Sequence, residues 1–266
     1  MKANAQQSWV QQEYFQFTNG VDVDRTIWQS PQWISPTNNP SFFGRTSIRN
    51  VPNFGAPIGY VPVTGNAAQL QLSTYNPLSQ PAGTSFLGAQ IGTINKWGLA
   101  SYNSVAFEAE VVLPISGAGA APGGVVAALF AYNLISTNPF LHDEIDFEIA
   151  ANHWQGSNPQ INANVYVVTG QRNPNYNMEV NVGQSLSGTV VLRIEWSQNG
   201  VIWLVNGRQF YSEAHVPPTD MSLVLNFWAP DHYWGWAYNG SLQPGGSPGT
   251  QWTFPVNWAK VWVIAS

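Results

Sequence analysis

Asp143, Glu144, Asp146 and Glu148 fall within six residues of the stretch HDEIDFEIA (142–150), in a chain of 266 residues where charged side chains make up only 9%. Leu141, Ile145, Phe147 and Ile149 alternate there with His142, Glu144, Asp146 and Glu148, and Asp143 is the one breach. Side chains on a strand point to opposite faces with period two, so the apolar set would enter a core while the titratable set stands in a row on an open face. An ordinary solvated strand face shows the same alternation. Carboxylates two residues apart on one face repel, however, and this chain avoids charge elsewhere, so the crowding points to chemistry. Cleavage of a glycosidic bond needs one carboxylate to attack the anomeric carbon and a second, protonated one to deliver its proton to the leaving oxygen. Crowding raises the pKa of the least solvated member, and Asp146 at the centre can hold a proton or a hydrogen bond between the two Glu residues. Backbone positions i and i+4 on a strand lie about 13 Å apart, whereas a retaining pair of carboxyl groups sits about 5–5.5 Å apart. The Glu144 and Glu148 side chains must therefore lean inward on a twisted strand.

The elements that would carry this row are strands. Short runs of β-branched and aromatic residues alternate with turns rich in Gly, Pro, Asn and Ser, and no window holds a helical period. Strands are predicted at 67–73, 104–113, 124–133, 161–168, 189–196, 201–207, 222–228 and 256–264, and Asn199-Gly200 is predicted to turn a hairpin between two of them. No linker or repeat divides the chain. The expectation is an all-β fold, a single β-sandwich domain over 1–266 with an irregular N-terminal segment of about 1–60.

Composition narrows the partner. Trp, Tyr and Phe reach 14% of the chain, with 13 Trp, more aromatic surface than core packing requires, so a flat ligand is expected to stack on some of it. A net charge of −5 with nine Lys plus Arg and no basic run argues against nucleic acid and anionic membranes. No apolar run reaches the roughly 20 residues that cross a bilayer. The start, MKANAQQSW, lacks a signal-peptide h-region, although Ala3-Asn4-Ala5 is compatible with the remnant of a cleavage site. With no Cys there is neither a disulfide framework nor thiolate chemistry. His153 and His215 have no metal-ligand spacing and read as surface or loop residues, while His232 beside Tyr233-Trp234 either supports its loop or touches ligand.

HDEIDFE resembles the ExDxE signature of glycoside hydrolase family 16, the laminarinase, lichenase and xyloglucan transglycosylase group. LRIEWSQNGVIWLVNG (192–207), LVLNFW (223–228) and PVNWAKVWV (255–263) resemble further strands of that family, so the similarity runs from about Gly65 to the C-terminus. The resemblance implies a concanavalin-like jelly-roll β-sandwich of two curved antiparallel sheets whose concave face binds a β-glucan. It implies Glu144 as nucleophile, Asp146 as the helper between its neighbours, and Glu148 as general acid and then base. The spacing is the unbulged one of lichenases and xyloglucan enzymes; laminarinase-like members carry an extra residue. By similarity to lichenases, Asn226, Trp228, Trp234, Tyr132, Asn164 and Tyr166 line sugar subsites, although Trp in a sandwich is also common in the core. Asn226 and Trp228 share a strand face, which favours a joint role. His142, placed among the substrate contacts, matches the xyloglucan enzymes. Gln90 stands where an acidic subsite residue is expected.

The implied activity is endo-acting, retaining hydrolysis of β-1,3-1,4-glucan. A β-1,3-glucanase, a xyloglucan-type endotransglycosylase and a non-catalytic carbohydrate-binding sandwich are the alternatives. The expected partner is a β-glucan polysaccharide met by a monomer in an extracellular setting. No cofactor is required. A structural calcium of the family would meet Asn257, a neutral and weaker ligand than the usual Asp.

Overall fold

The computed structural model describes residues 8–35, 44–54, 56–113, 121–136, 141–156, 158–167 and 178–266. Ala3-Asn4-Ala5 and the end of the strand predicted to reach residue 168 lie outside them. The N-terminal quarter supplies β1 (Val10–Gln16), β2 (Trp28–Gln29), β3 (Thr46–Ile48), β4 (Val51–Phe54), β5 (Ala56–Ile58) and β6 (Val63–Thr64). Longer strands follow: β7 (Ala67–Ser73), β8 (Phe86–Thr93), β9 (Tyr102–Leu113), β10 (Val126–Leu134), β11 (His142–Ala150) and β12 (Gln160–Tyr166). The chain closes with β13 (Met178–Asn181), β14 (Gly188–Ser197), β15 (Gly200–Val205), β16 (Arg208–Glu213), β17 (Ser222–Trp228) and β18 (Gln251–Ala265). No helix occurs among the described residues.

These strands make two antiparallel layers. One runs β13-β12-β11-β10-β17-β8 and the other β7-β18-β9-β14-β15-β16, and they are joined where Ser73 of β7 pairs with Leu87 of β8. Alternation along the strands explains why the layers stack. Ile145, Phe147 and Ile149 of β11, Leu223, Leu225 and Phe227 of β17, and Phe107, Ala109 and Val111 of β9 all enter one buried core. The sandwich interior also contains polar ties. Trp203 of β15 donates from Nε1 to the Asp146 carbonyl oxygen at 2.7 Å, crossing from one layer to the strand that carries the acids. Ring pairs such as Phe147–Phe210 and Phe227–Phe254 bridge the layers with centroids 5.7 and 6.0 Å apart.

Two local features differ from expectation. Ser197 pairs with Gly200, so Gln198 and Asn199 form the hairpin turn and Gly200 opens β15. The Asn-Gly pair with positive φ at both positions is Asn206-Gly207 (50° and 76°), which turns β15 into β16. The N-terminal segment is also drawn into the sandwich. β1 pairs with β18 from Val10↔Val263 to Gln16↔Trp258, burying Phe15 and Phe17 against Trp28. β3 runs parallel to β8.

Candidate active site

β11 is paired without a register break to β10, from Val126↔Ala150 to Leu134↔His142, and to β12, from Glu144↔Tyr166 to Glu148↔Asn162. No bulge interrupts the acids, so Glu144, Asp146 and Glu148 share the face turned away from the core. The cross-strand registers place side chains in ranks across that face. Tyr166, Glu144, Tyr132 and Ser222 form one rank. Asn164, Asp146, Phe130 and Val224 form the next, and Asn162, Glu148, Ala128, Asn226 and Gln90 the third.

The environment separates the three acids. Asp146 is 4% exposed, and burial together with the charges of Glu144 and Glu148 holds its carboxyl well above the ordinary carboxylate range; a hydrogen bond to Glu144 pushes the same way. Burial and the charge of Glu144 push Glu148 up to about 8. Glu144 keeps 14% of its side chain exposed, and its Oε2 lies 3.0 Å from His142 Nε2, so the tautomer protonated at Nε2 donates to it. His142, 8% exposed, is packed between Tyr132 and Tyr166 at centroid distances of 5.5 and 5.1 Å, so it holds Glu144 from one end of the row. Burial and the neighbouring carboxylates raise the pKa of both tyrosines, which keeps them neutral donors.

Asp143, the breach in the alternation, faces the other way. It is fully buried and accepts hydrogen bonds from Thr219 N at 3.1 Å and Thr219 Oγ1 at 2.6 Å, tying the approach to β17 to the first turn of the acid strand. It is a fixing point, not a member of the row.

Asn226 and Trp228 lie two residues apart on β17, facing the same side as the acids. Oδ1 of Asn226 and Oε1 of Gln90 are buried oxygens that accept no hydrogen bond among the described residues. Trp228 stacks on Trp234 at 5.8 Å with 22° between planes, Trp234 meets Trp236 at 5.6 Å, and Trp236 stacks on His153 at 4.5 Å and 7°. Trp33 and Ile48, from the N-terminal segment, pack into the same cluster. His153 lies in the turn after β11, as expected of a loop residue, and is half-buried there with Nε2 2.7 Å from the Trp236 carbonyl oxygen. His232 packs on Tyr233 at 4.1 Å, and His215 Nδ1 lies 2.6 Å from Glu213 Oε1.

The structure therefore gathers Glu144, Asp146, Glu148, His142, Tyr132, Asn164, Tyr166 and Asn226 on one face, with Trp228 and Trp234 forming a wall beside them. Sequence reasoning missed Asn162, Gln90's pairing with Asn226, and the contributions of Trp33 and Trp236. The period-two run Asn162, Asn164, Tyr166 carried the signal for the first. Asn257, the position that a structural calcium of the family would meet, donates from Nδ2 to Glu110 Oε1 at 2.9 Å. No group of three or more His, Cys, Asp or Glu side chains is placed to hold a metal ion among the described residues.

Crowded acids on the face of a jelly-roll sandwich turned away from its core define a class, the β-sandwich glycoside hydrolases. The sequence profile of "Glycosyl hydrolases family 16" matches residues 99–260, and the protein belongs to that family. No curated protein matches the chain. Among solved structures it is similar to a prokaryotic β-1,3-1,4-glucanase (lichenase) derived from a mouse hindgut metagenome, with TM-score 0.63 and 19% identity over 94% of this chain and 99% of that one. An endo-β-1,3-glucanase from Pyrococcus furiosus gives TM-score 0.68 and 14% identity, over 98% and 96%. A family 16 protein of the Bacteroides ovatus mixed linkage glucan PUL, in complex with product, gives 0.65 and 14%, over 94% and 99%.

Proposed function

We propose that this glycoside hydrolase is an endo-acting, retaining β-glucanase whose preferred substrate is mixed-linkage β-1,3-1,4-glucan. The observation that carries the reading is the row Glu144, Asp146 and Glu148 on one face of an unbroken β11, where burial and the charge of Glu144 push the Glu148 carboxyl up while Glu144 Oε2 lies 3.0 Å from His142 Nε2. Glu148 gives its proton to the glycosidic oxygen while the Glu144 carboxylate attacks the anomeric carbon, so the bond to the leaving sugar breaks as the glycosyl ester forms. Glu148, now ionised, takes a proton from water, and the water oxygen displaces Glu144 with net retention. Asp146 shares a proton or hydrogen bond with Glu144 and loads the charge onto whichever neighbour the step requires. Asn226 Oδ1 and Gln90 Oε1 lack partners among the described residues, and sugar hydroxyls supply the missing donors. Trp234, half-buried and backed by Trp228, takes the C–H side of a glucose ring.

The unbroken pairing of β11 supports a lichenase-type over a laminarinase-type site, since laminarinase-like members carry an extra residue at this strand. His142 keeps a xyloglucan-type transglycosylase as the second reading. Incubation with barley glucan, laminarin and xyloglucan, with product sizing, separates the three; release of oligosaccharides from none of them overturns the hydrolase reading. Glu144→Ala is expected to bind barley glucan about as well as the wild type and to turn over several orders of magnitude more slowly. Normal turnover by that variant would remove Glu144 from the role.

A further inference from the structure

We infer that Arg45, which lies outside the family-matched residues and touches none of the acids, is a positioning residue that sets the aromatic wall of the cleft. The inference rests on the β-glucanase reading above. The wall's outer members, Trp234 and Trp236, sit on the connection 229–242, which has no strand of its own and so depends on outside ties for its place. Arg45 supplies three of them. Its Nε donates to the Pro230 carbonyl oxygen at 3.1 Å, one terminal nitrogen donates to Asn239 O at 2.8 Å, and the other to Leu242 O. One planar guanidinium thus spans both ends of the connection, which a lysine ammonium could not do with the same geometry. Its carbon lies 5.1 Å from the Phe86 ring centroid and 4.8 Å from that of Tyr238, so the fork is clamped between β8 and the connection it holds.

The neighbours of Arg45 in sequence serve the same contact. Thr46 Oγ1 donates to Ala229 O at 2.9 Å and accepts from Ala229 N at 2.8 Å, fixing the point where β17 ends. Gly44, with φ of 58°, lies so close that a Cβ would sit 2.3 Å from Asp231 N. Ile48 and Trp33 then join the Trp228 cluster directly. From the opposite side Asn152 Nδ2 reaches Trp236 O at 3.3 Å and Tyr238 O at 3.1 Å, so the connection is held between β3 and the end of the acid strand. The hydrogen bonds from Arg45, Thr46 and Asn152 all go to backbone atoms of the connection and use no atom of the Trp234 ring.

Arg45 therefore acts on affinity through Trp234 and leaves the acids alone. In kinetics on barley glucan, Arg45→Met is expected to raise KM about fivefold to tenfold, the size of a lost ring contact, with kcat within about twofold. Arg45→Lys falls between the two and stands in if the methionine variant does not fold. Trp234→Ala alone raises KM by a similar factor, and adding either Arg45 variant to it changes KM little further, because the two act through one contact. A full multiplicative KM effect in the Trp234→Ala background, or a loss of kcat at unchanged KM, overturns the inference. Should the wild type prove inactive on all three glucans, the functional reading fails by itself; the same cycle is then read as retardation in native gels containing barley glucan, where additive losses or no loss would overturn the positioning role.

Discussion

The assignment of acid and nucleophile turns on two glutamates four residues apart, and their difference is electrostatic. Glu148 is pushed to about 8 from 4.5 by burial and by Glu144, so in the proposed mechanism it is the group that carries the proton for the leaving oxygen. The basic limb of kcat/KM is accordingly expected near pH 8, and Glu148→Gln should lower kcat about 10²- to 10⁴-fold and abolish that limb. The same shift has a signed effect on stability. A carboxyl whose pKa is higher folded than unfolded contributes most below its unfolded value, and the contribution is lost as pH rises from about 4.5 through about 8. Glu148→Gln should thus gain melting temperature over the wild type at pH 9 and show little advantage at pH 4, as differential scanning calorimetry would register. A gain confined to pH 4 would contradict the burial argument. Asp146, raised by both neighbours, adds a loss of the same sign.

Strands set how far such assignments could be read in advance. The segments at 67–73 and 222–228 coincide with β7 and β17, because clean alternation and bounding turns leave little freedom. The start of β18 was not legible, since Pro255 falls within it and Pro usually argues against an interior strand. β8 was also missed: Gly88 and Gly92 interrupt its apolar pattern, and its value lies in pairing with β17 and β3, which is a tertiary matter. The acid row was legible in full from period two. Its aromatic wall was legible only in part, because Trp33 and Trp236 reach it through connections whose path no local pattern encodes. Asp143 illustrates a residue whose departure from alternation carried information about the next strand. Replacing it with Ala removes the acceptor for Thr219 N and Oγ1 and should reduce stability by about 1–3 kcal/mol in urea unfolding, with the m-value unchanged. A neutral result would mean that water replaces the carboxylate without penalty.

For the molecule as a whole, the N-terminal segment is structural mortar for both layers. β1 covers the free side of β18 between Trp258 and Val263, and Phe15 and Phe17 close the core beside Trp28. Removing residues 1–17 should expose that backbone edge and its apolar neighbours, giving a lower melting temperature and concentration-dependent light scattering. A monodisperse truncated protein of unchanged melting temperature would show that β1 is dispensable. The acid strand is in the opposite situation. β10 and β12 flank it on either side, and Trp203 fastens its backbone from beneath. A ribbon pinned on three sides is a stiff support, so in the proposed reaction the reshaping that brings acetal and acids into register is expected in the sugar ring more than in the strand.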